Sequence, residues 1–119
     1  MKTQLEAQTI LGETRSAVDN ILEGVLIMRQ SGVLTGEVIS TNVEETELYL
    51  HTPTIYPMFK RWARETSFEG EVISHSEFVK QISKMDYYVG YKAVRLEDAT
   101  RKVRVFDIAK LIAKKLYED

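Results

Sequence analysis

The sequence of 119 residues contains no cysteine, so it has no disulfide bond, no thiolate zinc site and no cysteine nucleophile. It has only two histidines, His51 and His75, which excludes a histidine-rich metal site. The longest uninterrupted apolar run is Val25 to Met28, far shorter than the roughly 20 residues of a membrane-spanning helix. The first residues also lack the apolar core of a signal peptide. We therefore expect a reducing, cytoplasmic location.

The sequence also lacks the patterns that accompany catalysis. It has no glycine-rich phosphate loop of the G-x-x-x-x-G-K-[ST] type, which excludes a nucleotide-hydrolysing site of that class. It shows no Ser/His/Asp arrangement and no pair of acids in an apolar context. The adjacent acids Glu44 and Glu45 lie in a polar stretch and are typical of a solvated surface. We expect a non-catalytic chain without metal or cofactor.

Charge is divided along the chain, although the total is only −2. Residues 1–51 carry 3 basic and 8 acidic side chains, whereas residues 52–117 carry 13 basic and 8 acidic ones. A basic segment is typical of proteins that bind polyanions. The alternative is that these charges cluster by chance on solvated faces. Hydrophobic residues make up 44% of the chain, which is enough for the core of one globular domain.

The first half of the chain predicts one helix followed by a linker. Residues 14–31 have the helical spacing of apolar side chains, with Thr14 as N-cap and Gly32 in the left-handed position after the last turn. The apolar stripe consists of Val18, Ile21, Leu22, Val25 and Met28. Gly24 weakens this helix and allows the close approach of a neighbour. Residues 33–51 form an acidic, mostly exposed linker that contains a short strand at 46–50.

The second half predicts a compact unit of helices and a hairpin. A helix covers residues 52–66, with its regular part starting near Tyr56 because of Pro57, and a short strand follows at Val72 and Ile73. A third helix covers residues 74–85, with Ser74 or Ser76 as its N-cap, and if Ser74 is the cap, Glu77 completes a capping box. The next predicted elements are a β-hairpin at 87–107, whose polar segment 96–102 is too long for a two-residue turn, and a last helix at 108–117.

This order of elements is typical of a winged helix, the helix-turn-helix variant in which a β-hairpin forms the wing. We therefore predict an α+β fold in which an extra N-terminal helix and acidic linker, residues 1–45, precede a winged-helix domain, residues 46–119.

Several motifs resemble the C-terminal region of primase–helicases from phages, plasmids and pathogenicity islands. The segments LEGV at 22–25 and SGVLT at 31–35 are similar to the end of their helicase portion. The segments IYPMFKRW at 55–62 and ISHSEF at 73–78, with the hairpin end RVFDI at 104–108, resemble their terminal module. The resemblance implies a winged helix that contacts DNA in a replication protein of a mobile element. It also implies a larger parent protein or a stand-alone relative, because the ATPase motifs lie outside this chain.

The predicted DNA contacts come from the third helix and the hairpin, because phosphate binding needs cations and groove readout needs side chains that project outward. Glutamine and lysine side chains on a helix can also pair with base edges in the major groove. The predicted DNA-binding residues are Ser76, Lys80, Gln81, Lys84, Lys92, Arg95, Arg101, Lys102 and Arg104. The expected partner is duplex or single-stranded DNA, together with other subunits or domains of a replication protein.

Three alternatives stay open at this point. Tyr87, Tyr88 and Tyr91 either stack on single-stranded bases or, as is more common, pack within the protein. The whole chain is alternatively a protein-interaction module without DNA contact, which an uncovered stripe of Val18, Leu22 and Val25 would favour. A small phage regulator of transcription is the third possibility.

Overall fold

A computed structural model describes residues 16–117 of the chain and shows a mixed α+β architecture. Within this range, four helices surround one face of a four-stranded antiparallel sheet. The elements in chain order are α1 (Ala17–Gln30), β1 (Ile39–Thr41), β2 (Glu47–Leu50), α2 (Thr52–Glu65), α3 (His75–Ile82), β3 (Tyr88–Leu96), β4 (Ala99–Asp107) and α4 (Ile108–Ala113). None of these helices is both long and apolar enough to cross a bilayer.

Helix α1 confirms the predicted amphipathic helix, and every member of its predicted apolar stripe is buried. Its N-cap is Ser16, whose hydroxyl accepts a hydrogen bond from the Asp19 backbone while the Asp19 side chain accepts one from the Ser16 backbone. This reciprocal pair fixes the start of the helix. The predicted cap Thr14 lies outside the described residues. Gly32 has a φ of +84°, as predicted.

The segment between α1 and α2 differs from the predicted exposed linker. The predicted strand is confirmed as β2, but a second strand, β1, pairs with it in antiparallel register. Leu34, Val38 and Ile39 are buried in the same core cluster as the side chains of α1 and α2. The linker prediction was wrong because three of its acids, Glu37, Glu44 and Glu45, occupy exposed turns, whereas the apolar residues between these turns complete the core. Buried residues on both sides of the predicted domain division at residue 45 belong to this one core cluster.

Helix α2 begins at Thr52 and continues through Pro57, so the prediction of a start near Tyr56 was wrong. Pro57 removes one backbone donor, whose helical partner would be the carbonyl of Pro53. The burial of Ile55 and Phe59 on the same helix offsets that loss.

The predicted strand at residues 72–73 does not form. The carbonyl oxygen of Ile73 instead accepts a hydrogen bond from the hydroxyl of Tyr56. A side chain of α2 therefore takes the place of a strand partner at this position.

Helix α3 is shorter than the predicted 74–85, since it ends at Ile82 with Ser83 as C-cap. The hydroxyl of Ser74 accepts from the Glu77 backbone, as predicted for the N-cap. The Glu77 carboxylate accepts from Gln81 Nε2 at 2.9 Å and not from the Ser74 backbone, so the predicted capping box is only half formed. Helix α4 ends at Ala113, and Lys115 adopts a left-handed conformation with φ +63°, so the predicted helix to residue 117 is also too long.

Strands β3 and β4 form the predicted hairpin, but they pair up to Leu96 and Ala99. Only Glu97 and Asp98 form the turn, so the prediction of a long polar loop was wrong. Glu97 provides the left-handed backbone conformation, with φ +56°. Leu96 packs with Val103 in a small apolar cluster, and this burial favours pairing to the end of the hairpin.

Candidate nucleic-acid interface

The β3–β4 hairpin presents its cations on two opposite faces. Directly opposed residues of an antiparallel pair lie on the same face of a sheet. Tyr91 is opposite Arg104 and Ala93 is opposite Lys102, which places Lys102 and Arg104 on one face. Lys92 is opposite Val103. Each of these two residues is the sequence neighbour of a residue on the first face, so both lie on the opposite face. By the same alternation, the five predicted cations of the hairpin divide into an inner set, Arg95, Lys102 and Arg104, and an outer set, Lys92 and Arg101.

The inner face is the one that continues into the main core. Phe106 lies on it and is buried, with its ring in an edge contact with the ring of Tyr88 at 5.9 Å between centroids. Leu48 of β2 is opposite Phe106 and is buried in the same cluster. The inner cations therefore lie on the side of the sheet where the helices pack.

Arg104 and Tyr91 form the closest cation–aromatic contact on the inner face. The guanidinium carbon of Arg104 lies 3.9 Å from the centre of the Tyr91 ring. Arg104 Nη1 also donates a hydrogen bond to the hydroxyl of Tyr88 at 3.2 Å. Lys102 Nζ lies 5.8 Å from the same Tyr91 ring. These contacts hold two positive charges beside an aromatic ring that is 50% exposed.

The first turns of α2 and α3 meet the inner face of the hairpin. His75, the first residue of α3, has its Nε2 atom 3.1 Å from the hydroxyl oxygen of Thr52. His51, immediately before α2, has its Nδ1 atom 3.1 Å from the carbonyl oxygen of Lys102. Lys60 of α2 extends over the ring of Tyr56, which itself lies 5.5 Å from the imidazole of His75. These contacts bring the two helices and the hairpin to one place.

Two positive charges act on the imidazole of His75. Burial lowers the pKa of His75 first, and the positive charges of Arg104 and Lys60 lower it further. These two cations come from separate elements, β4 and α2. An anion bound here would be attracted by both of them. We call the surface formed by Lys60, His75, Tyr91, Lys102 and Arg104 the junction surface.

The predicted side chains of α3 have different surroundings. Ser76 and Lys80 are exposed and lie four residues apart, so they project from the same side of the helix. Gln81 is half-buried and its amide is bonded to Glu77, which leaves it less free to contact a base. Lys84 is exposed but lies beyond Ile82, the last residue of α3, so it does not share a regular helix face with Lys80.

The outer cations of the hairpin are separate from the junction surface. Lys92 forms an ion pair with Glu47 at 3.6 Å and extends over the ring of Tyr49 at 5.3 Å. Arg101 is half-buried, and its Nε atom is buried without a hydrogen-bond partner in the described part of the chain. Arg95 lies on the inner face close to the hairpin turn, which carries two exposed acids rather than the cations expected of a wing tip.

Lys60 is the contributor that sequence reasoning misses. It lies off the apolar stripe of α2, so its exposure is predictable, but its approach to His75 of α3 is a tertiary feature. His75 is not among the predicted DNA-binding residues. Tyr87, one of the three tyrosines considered for stacking, is fully buried, and Tyr88 is half-buried. Tyr91 alone of those three is exposed.

Comparisons of the chain with protein-family models, with curated proteins and with solved structures give no match. The resemblance to primase–helicases therefore stays a prediction from motifs. Within residues 16–117, no group of three or more His, Asp or Glu side chains is arranged to hold a metal ion.

Proposed function

We propose that this chain is a winged-helix module that binds DNA, without catalytic activity of its own, as part of a replication protein of a mobile genetic element. The order of α1, β2, α2, α3 and the β3–β4 hairpin supports a winged helix. So does the pairing of β2, which precedes α2, with β4, the returning strand of the hairpin. In this proposal α3 is the recognition helix, the hairpin is the wing, and no cofactor takes part.

The observation that carries the proposal is the convergence of cations at the junction surface. Lys60, Lys102 and Arg104 come from α2 and β4, and the described residues show no ion pair between any of them and an acid. Cations without acidic partners are free to neutralise phosphates, and this neutralisation supplies most of the affinity of non-specific DNA binding. The exposed Ser76 and Lys80 of α3 extend the contact, with limited readout of bases because Gln81 is engaged by Glu77.

The apolar stripe of α1, whose exposure would favour a protein-interaction module, is buried. Val18, Leu22 and Val25 are 0–2% exposed, so α1 offers no uncovered apolar stripe to a partner. DNA therefore remains the first candidate, and docking of other replication subunits is compatible with it.

The test is fluorescence anisotropy of labelled DNA with two matched variants of the hairpin. Lys102→Gln removes a charge from the junction surface, and Lys92→Gln removes one from the outer face. We expect wild-type binding in low salt at or below tens of micromolar, a loss of about threefold to tenfold for Lys102→Gln, and a change of less than about twofold for Lys92→Gln. The Lys92 ion pair is a surface contact, so its loss leaves the fold intact.

Two results would contradict the proposal. One is the absence of binding to either duplex or single-stranded DNA at tens of micromolar in low salt. The other is an equal loss for the two variants, which would show that DNA does not distinguish the inner from the outer face. Circular dichroism spectra of both variants serve as the folding control.

A further inference from the structure

Tyr91 is an aromatic residue that the fold leaves half exposed at the centre of a cationic surface. Most of the large aromatic side chains near it are instead used in packing, such as Tyr56 and Phe106. Exposing a ring on a strand has a cost, because the apolar faces of the ring stay in contact with water. Its position therefore suggests contact with a planar ligand.

The ring of Tyr91 is held in place by its neighbours. The Arg104 guanidinium lies 3.9 Å from the ring centre and is itself fixed by the hydrogen bond from its Nη1 atom to the Tyr88 hydroxyl. The guanidinium covers one face of the ring, and half of the residue's surface is left to solvent. A ring that is already oriented loses little conformational freedom when a second planar group stacks on it.

The charges around Tyr91 are suited to a phosphate backbone. Lys102 Nζ lies 5.8 Å from the centre of the ring, and the guanidinium carbon of Arg104 lies 3.9 Å from it. A planar group flanked by negative charges describes a nucleotide in a single strand, whose base is free to stack on a protein ring. The bases of a duplex are stacked on each other and present only their edges.

The charge of the hairpin turn also favours a single strand over a duplex as the ligand. Its residues Glu97 and Asp98 are exposed and negatively charged, so this tip is unsuited to insertion into a DNA groove lined by phosphates. The inner face of the hairpin is therefore a better contact than its tip, and a flexible single strand can follow that face.

We propose that the junction surface binds single-stranded nucleic acid, with an unpaired base stacked on Tyr91 and its neighbouring phosphates held by Lys102 and Arg104. This inference rests on the proposed DNA-binding function and specifies the strand state of the ligand. Recognition is insensitive to base identity, because every base has a face that can stack.

The experiment compares Tyr91→Leu with Tyr91→Phe in the full chain, using labelled oligothymidylate and a labelled duplex of the same length. Tyr91→Leu removes the aromatic plane, whereas Tyr91→Phe keeps it and removes only the hydroxyl. We expect the wild type to prefer the single strand, Tyr91→Leu to weaken that binding by about 5- to 30-fold, and Tyr91→Phe to stay within about twofold. Binding of the duplex changes little in either variant.

The inference is overturned if the wild type prefers the duplex, or if Tyr91→Leu binds oligothymidylate as tightly as the wild type while remaining folded by circular dichroism. Both results leave the proposed DNA binding standing. Absence of binding to either probe instead contradicts the proposed function. An equal loss of single-strand and duplex affinity in Tyr91→Leu also overturns the inference, because it shows that the ring does not discriminate the strand state.

Discussion

Asp19 connects three separate parts of the chain through one buried carboxylate. It is 1% exposed and accepts hydrogen bonds from the Tyr87 hydroxyl at 2.7 Å and from the Ser16 backbone at 3.0 Å, while Lys114 Nζ lies 3.4 Å away. Burial alone would raise the pKa of this carboxyl, but the hydrogen bonds and the Lys114 charge outweigh burial and lower the pKa below its ordinary value of 3.8. The ionised form is therefore the one that stabilises the fold.

We predict that Asp19→Asn destabilises the protein by about 2–4 kcal/mol at neutral pH, because Lys114 and Tyr87 lose a charged acceptor. A carboxyl whose pKa is lower in the folded than in the unfolded state adds stability above its unfolded pKa and loses it as pH falls through the folded pKa. Urea unfolding of wild type and variant at a series of pH values should therefore show a difference that is full at neutral pH and shrinks below about pH 4. A difference independent of pH would contradict this assignment.

The individual residues of the candidate site are only partly predictable from sequence. Lys102 and Arg104 are identifiable because strand-forming residues with interspersed cations predict a charged hairpin. The separation of Lys92 from them requires the register of β3 and β4, which the predicted long loop obscures. Lys60 and His75 join the site through contacts over long sequence distances, and no local pattern encodes these contacts.

At the scale of elements, the crossing of α1 and α2 depends on Gly24. A Cβ atom at this position would lie 2.8 Å from Cε1 of Phe59 and 3.1 Å from Cζ3 of Trp62. The predicted close neighbour at Gly24 is therefore confirmed. The two helices therefore approach each other at the one position in α1 where no side chain intervenes.

We predict that Gly24→Ala destabilises the protein by up to about 2 kcal/mol, because overpacking against the two aromatic rings costs about 1–3 kcal/mol and the helix preference of alanine offsets about 1 kcal/mol of this cost. Gly90→Ala is the matched control, since a Cβ atom there meets nothing within 4 Å. Thermal unfolding of both variants measures the difference. If Gly24→Ala instead stabilises the protein, α2 moves away from the added methyl group without a net cost, and the crossing of the two helices does not depend on this glycine.

The sequence patterns of helix α2 and of the hairpin mispredict these two elements because tertiary packing overrides the local preference. Helix α2 passes through Pro57 because its buried aromatic face offsets one missing hydrogen bond, whereas the proline rule alone predicts a later start. The hairpin extends to a two-residue turn because Leu96 and Val103 are buried together. Helix α1, by contrast, is predictable from its apolar spacing alone, because its tertiary packing and its local preference both favour a helix.

At the scale of the whole molecule, one acidic turn lies away from the junction surface. Glu44 and Glu45 occupy the turn that precedes β2, and the far end of β2 leads to His51, which contacts Lys102. The length of β2 therefore separates these two acids from the cations of the junction surface. Other acids of the first part of the chain do pair with cations of the second, as Glu47 does with Lys92 and Asp19 with Lys114, so the local distribution of charge matters more than the near-neutral total.

The most direct test of the account is an NMR titration of the aromatic ring resonances with oligothymidylate. We predict that the rings of Tyr91 and His75 shift together with one common dissociation constant, whereas the ring of Tyr49, which lies on the outer face beside Lys92, does not move. If Tyr49 shifts while Tyr91 and His75 remain unchanged, the nucleic acid binds the outer face and the account is wrong.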